Sequence, residues 1–160
     1  MLGAVEEVPL EAWRRQFETN LFGVVSLTQA IIPFMRQSGG GKIINMSSGL
    51  GIMSFPLMGA YASSKFALEG FSESLRFELK RFGIDVVLIQ PGTHTTNISH
   101  NLDFYLEMNS HFHSTARTFK KFFIERAEKS ARDPQKVAFF NSKNTKKNQN
   151  LIFVTRLVSI

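Results

Sequence analysis

Apolar and polar positions along this chain follow two rhythms. From Pro9 to about Met35, Trp13, Phe17, Leu21, Val24, Ile31 and Met35 recur at helical spacing, which predicts one long helix. Leu27, Ile32 and Phe34 widen that stripe, so the helix is expected to pack on more than one side. Pro9 suits the first helical turn, where a missing N–H costs nothing. Pro33 falls late enough to kink or shorten the helix. Ser38 to Gly41 then reads as a turn, and Lys42–Met46 as a short apolar run of the kind buried in parallel sheets. A second helix is expected from about Gly59 to Phe82. In it Tyr61, Leu68, Leu75 and Leu79 form one row, and Ala60, Ala67, Phe71 and Phe82 broaden it. Gly83 is its expected C-cap, and Ile84–Ile89 is a second buried strand. Strand alternating with helix predicts an α/β layer architecture with a parallel sheet.

Past Pro91-Gly92 the rhythm loosens. Asn97 to Arg132 is rich in Phe, His and Met, with helical patches such as Phe119–Ile124. Asp133-Pro134 is a helix start, N-cap then first position. After Phe139-Phe140-Asn141 comes a polar basic stretch, SKNTKKNQN, and Leu151–Ile160 reads as a strand or a sticky tail.

Length and composition narrow the field. With 160 residues and 43% of them apolar, the expectation is one domain with a sizeable core. No apolar run is long enough to cross a bilayer, and MLGAVEEVP lacks the pattern of a secretory signal. The absence of cysteine excludes disulfides and thiolate metal sites and fits a reducing cytoplasm. The net charge of +6 is scattered until the tail, which favours a solvated basic surface over nucleic-acid binding. His111 and His113, two apart, diverge on a helix, so no metal site is expected.

One stretch carries candidate chemistry. Tyr61 and Lys65 are four apart and project from one helix face. A cation at roughly 4 Å, with an effective dielectric near 20, is worth on the order of 4 kcal/mol. That would lower a phenol pKa from about 10 toward 7. Tyr61 then becomes a general acid/base, with Ser48 at the strand exit to hold a substrate oxygen.

Around this pair stand Asn45-Met46-Ser47-Ser48 at a strand end, Asn20 within Asn-Leu-Phe-Gly-Val, and Pro91-Gly92 after an apolar strand. The set resembles the short-chain dehydrogenase/reductase family from Met1 to about Asn97, with a looser match near Asp133-Pro134. The resemblance implies a Rossmann-like, doubly wound parallel sheet in three layers. It also implies hydride transfer between NAD or NADP and an alcohol or ketone. Asn20, Ser48, Tyr61 and Lys65 would be the catalytic residues. Tyr61, Lys65, Pro91, Gly92, Thr93 and Thr96 would contact the cofactor. The helix around Asn20 would be locally distorted. The two long helices, near 10–35 and 59–82, would form a homodimer or homotetramer.

On this reading residues 1–138 form a partial domain, with a substrate lid over 98–132, and 139–160 a divergent tail. The aromatic lid favours a bulky apolar substrate of steroid, retinoid or fatty type. The chain holds no glycine-rich dinucleotide turn. The fold is therefore expected to lack its first strands and helices, and the choice between NAD and NADP is unreadable. The strand holding Ile43 and Ile44 is expected to show an open edge. The competing reading is an inactive fragment that serves only as an oligomerisation module.

Overall fold

The protein is described from a computed structural model covering residues 1–92, 103–130, 133, 135 and 151–153. Its centre is a pair of parallel strands, β2 (Gly41–Met46) and β3 (Ile84–Ile89), in register from Gly41 opposite Ile84 to Met46 opposite Ile89. Parallel neighbours need a crossover, and helix α3 (Gly59–Leu79) supplies it. Leu68, Leu75 and Leu79 on α3 bury against Ile43, Ile84 and Val86 of the strands. A 3-10 turn, Lys80–Phe82, ends at Gly83. Its φ of 68° is left-handed, a conformation that Gly adopts without steric cost.

The first long helix comes in three parts. Helix α1 (Leu10–Phe17) runs into a π-helical turn, Glu18–Phe22, and then into α2 (Gly23–Gln37). The distortion surrounds Asn20, where the family resemblance placed it. Pro33 lies inside α2, which continues to Gln37, so it does not shorten the helix. Val24, Thr28 and Met35 are buried, whereas Leu27 and Phe34 face outward. The widened apolar stripe is thus only partly covered within one chain.

A second, smaller core forms where β1 (Leu2–Gly3) pairs in parallel with β4 (Phe104–Tyr105). Leu2, Ala4, Leu57 and Met58 pack there with Ala116 and Phe119 of helix α4 (His113–Ser130). Phe55 and Phe122 rings meet at 6.3 Å beside it. The aromatic segment after residue 103 therefore lies over the loop that leads into α3. Asp133 Oδ1 accepts the Gln135 N–H at 2.8 Å, the capping bond expected of Asp133.

The expectation of an open edge on β2 is corrected. Strand β5 (Leu151–Phe153) pairs in parallel with β2 on the side away from β3, Lys42 opposite Leu151 and Ile44 opposite Phe153. The sheet order is β3-β2-β5. Backbone groups of β2 that would stand unpaired find partners in the tail, as buried N–H and C=O groups require. The architecture is α/β with parallel strands, Rossmann-like in its layers. No helix among the described residues is long and apolar enough to cross a membrane.

Candidate active site

At the end of β2 the chain leaves the sheet in a controlled way. Asn45 is fully buried, and its amide donates to Ser72 Oγ at 2.8 Å. The Ser47 N–H donates to the Ile89 carbonyl at 2.7 Å. Ser48 then adopts an extended conformation and caps a short 3-10 turn, Gly49–Gly51, accepting the Leu50 N–H at 3.1 Å. That acceptance leaves the Ser48 hydroxyl proton free to point elsewhere, and Ser48 lies beside Tyr61, whose phenol pKa it lowers. The turn is closely packed at Gly51. A Cβ there would lie 2.6 Å from Ser47 Oγ and 2.9 Å from Glu69 Oε1. The Gly49 N–H donates to the Pro91 carbonyl at 3.1 Å, tying the serine loop to the Pro-Gly turn after β3.

Helix α3 brings the other groups. Tyr61 is half-buried on the margin of the small core. Lys65, one turn on, is 8% exposed and donates from Nζ to the Met46 carbonyl at 2.9 Å. Nζ stands 6.0 Å from the centroid of the Tyr61 ring. Burial lowers the Lys65 pKa to about 8, partly offset by the Glu69 carboxylate. Burial also raises the Tyr61 pKa above its ordinary value, against the lowering effect of the Ser48 hydrogen bond.

The expected depression of the phenol by Lys65 is therefore corrected for the chain by itself. The sequence estimate counted an ammonium at about 4 Å and left out desolvation of the phenolate, which here outweighs other effects.

Asn20 bonds directly to α3, at Ser64. Its amide donates to Ser64 Oγ at 2.9 Å, and Ser64 Oγ donates to the Tyr61 carbonyl at 2.7 Å. Ser48, Tyr61 and Lys65 thus share one location, Asn20 is linked to it by Ser64, and Pro91 by a backbone bond. Thr93 and Thr96 lie outside the described residues. Reasoning from sequence passed over Ser64, Glu69 and the Asn45–Ser72 pair. Ser64 and Glu69 flank Lys65 in Ser-Lys-Phe-Ala-Leu-Glu, and helical spacing alone could have placed Glu69 one turn beyond the lysine.

The donor set fits a nicotinamide ribose. An ammonium has three N–H donors, of which one goes to Met46, and among the described residues nothing stands within 4 Å of the position a Cβ would take on Gly92. Among the described residues, no group of three His, Cys, Asp or Glu could hold a metal.

The comparison with known families agrees with this geometry. The family model for short chain dehydrogenase matches residues 1–104. An uncharacterized oxidoreductase of Bacillus subtilis, YusZ, is 45% identical over 139 residues, 85% of this chain and 50% of the relative. A 3-ketodihydrosphingosine reductase of Bacteroides thetaiotaomicron is 39% identical over 137 residues, 84% of this chain and 51% of its own. A crystal structure of a short-chain dehydrogenase from Streptomyces avermitilis superposes with a TM-score of 0.75 at 32% identity, covering 95% of this chain and 55% of that one. Other similar structures hold NADP or NAD+. The chain spans about half the length of the curated relatives it matches. It belongs to the short-chain dehydrogenase family.

Proposed function

We propose that this site serves a nicotinamide-dependent oxidoreductase that interconverts an alcohol and a ketone. The observation that carries the proposal is the shared location of the Ser48 hydroxyl, the Tyr61 phenol and the buried Lys65 ammonium. The nicotinamide, when bound, supplies or accepts the hydride. Tyr61 gives its proton to the carbonyl oxygen as the hydride arrives at carbon, and takes it back in the oxidation. Ser48 donates to the same oxygen and holds it against the phenol. Lys65 stabilises the phenolate electrostatically and offers its remaining N–H donors to the ribose. Asn20, through Ser64, fixes the helical turn that carries Tyr61. Pro91, Gly92, Thr93 and Thr96 would line the nicotinamide side, with NAD or NADP both compatible.

The apolar surroundings support a substrate class. Phe55, Phe112, Phe119 and Phe122 gather beside the serine loop, and the Bacteroides relative is named a 3-ketodihydrosphingosine reductase. A bulky apolar alcohol or ketone suits such a lid better than a sugar.

A second reading is favoured by the outward apolar side chains. Leu10, Phe22, Leu27 and Phe34 on α1, the π turn and α2, and Phe66 and Phe77 on α3, stand exposed. A shallow groove of about 270 Å³ between Leu10, Trp13, Phe17 and Phe22 marks the same face. These surfaces suit a homodimer or homotetramer, and an inactive chain could retain that role alone. Titration with NADH and NADPH, followed by calorimetry and by fluorescence of Trp13, separates the two readings. Saturable binding is expected of the enzyme; its absence would leave only the interaction module.

A further inference from the structure

Gly51 is buried, and its φ is not among the positive ones, so backbone conformation does not call for glycine there. Space does. A Cβ at position 51 would meet Ser47 Oγ at 2.6 Å, Glu69 Oε1 at 2.9 Å and Glu69 Cγ at 3.0 Å. The serine loop therefore lies directly against two side chains, one from the residue after β2 and one from α3.

Glu69 holds that place at a cost. Its Oε1 is buried and, among the described residues, has no hydrogen-bond partner, and the same is true of Ser47 Oγ. Unpartnered buried oxygens are destabilising. The other carboxylate oxygen, Oε2, accepts from Gln90 Nε2 at 3.0 Å, in the residue between β3 and Pro91. Glu69 thus reaches both the serine loop and the approach to the Pro-Gly turn. The Gly49 N–H to Pro91 carbonyl bond, at 3.1 Å, ties the same two segments through their backbones. Ser48 sits inside this frame. Its Oγ accepts from the Leu50 N–H at 3.1 Å and its carbonyl from the Gly51 N–H at 2.9 Å, so a displacement of Gly51 carries Ser48 with it.

We infer that Glu69 is a positioning residue for Ser48: held at one end by Gln90, its side chain packs against Gly51 and fixes the serine loop relative to the Pro-Gly turn. The spacing between the group that holds the substrate oxygen and the nicotinamide side is set by that strut. The inference rests on the proposed function for its meaning, though not for its first test.

Amide hydrogen exchange, followed by NMR in the full chain without cofactor or substrate, reads the loop directly. The Gly49, Leu50 and Gly51 N–H groups report on it, and the amides of the β2–β3 ladder serve as reference. In Glu69→Ala the three loop amides should exchange about tenfold faster, the scale on which a lost local contact opens a segment, while the ladder amides keep their rates. Glu69→Gln, which preserves length and shape, should restore most of the protection; a loss equal to that of Glu69→Ala overturns the packing role. Unchanged loop amides in folded Glu69→Ala overturn the inference. Equal acceleration of loop and ladder does so too, because it marks a general loss of stability. Should Glu69→Ala fail to fold, Gln90→Ala, which cuts only an exposed hydrogen bond, should accelerate the same amides by a smaller factor, and no acceleration there overturns the inference. Where turnover is measurable, Glu69→Ala should lower kcat by up to about 10²-fold, the scale of a small misplacement of a reacting group, with KM nearly constant and Glu69→Gln restoring the rate. An unchanged kcat beside accelerated loop amides would remove the positioning role. Failure of the oxidoreductase reading would leave the exchange result intact, so the two can fail separately.

Discussion

At the scale of single residues, Lys65 is the position where stability and chemistry pull apart. Its ammonium is taken out of water to lie between a backbone carbonyl and an aromatic ring. Burial disfavours the charged form and lowers its pKa to about 8 from 10.5. The folded state therefore binds fewer protons than the unfolded state between those values, and stability should rise with pH there. Tyr61 acts in the opposite sense, because its raised pKa makes stability fall once the unfolded phenol ionises, above about pH 10. Between pH 8 and 10 the Lys65 effect stands largely alone. Denaturant unfolding across that window should show stability increasing by up to about 1.4 kcal/mol per pH unit, and Lys65→Met should remove the increase. Equal slopes in both proteins would contradict the burial of a charged lysine.

The sequence placed Tyr61 and Lys65 on one face because four residues make about one helical turn. It could not reveal the desolvation of either group, since burial depends on Met46, Leu57 and Met58, which come from elsewhere in the chain. Nor could it show that Asn20 would bond to Ser64 on α3, because that pair is separated by 44 positions.

At the scale of elements, strands and helices were legible in proportion to their length and regularity. β2 and β3 appear within one residue of where their apolar patterns put them, whereas α3 ends at Leu79, three residues before the expected Phe82, and a 3-10 turn carries the chain on to Gly83. The π turn is different. Nothing in the pattern of Glu18–Phe22 announces an extra residue in the helical turn; only the family resemblance pointed to it. Such bulges occur frequently at functional sites, and this one aims the Asn20 amide at Ser64.

β5 was harder still. Three residues carry no readable period, and a polar basic stretch precedes them. Its pairing with β2 nevertheless explains how a flat apolar edge is kept from other chains. Removal of residues 151–160 should expose that edge. The truncated chain is expected to self-associate in a concentration-dependent way, seen as a rise in mass by light scattering, while the intact chain keeps its mass under the same conditions. A truncated chain whose mass matches that of the intact chain at every concentration would contradict the role assigned to β5.

At the scale of the molecule, two apolar clusters divide the labour. The larger one, around Ile43, Leu68, Leu79 and Ile84, fixes α3 on the sheet. The smaller one, around Leu2, Leu57, Met58 and Phe119, brings the aromatic segment over the serine loop. Ser48, Tyr61 and Lys65 lie where the carboxyl ends of the strands meet α3, the place where open α/β sheets hold ligands. The outward faces of α2 and α3 keep apolar side chains that a second copy could cover. Apolar periodicity in the sequence conveyed the layer architecture, and a few spaced polar residues marked the candidate site. It said little about Thr93 to Leu102, where no period dominates.

The central claim is that the Tyr61 phenol exchanges the proton with a substrate oxygen. Its most direct test is nicotinamide-coupled turnover of a bulky ketone, compared between wild type and Tyr61→Phe, with cofactor affinity measured in parallel. The expected result is a loss of turnover of about 10²–10⁴-fold, with NADH or NADPH affinity nearly unchanged. Turnover by Tyr61→Phe close to the wild-type rate would contradict it.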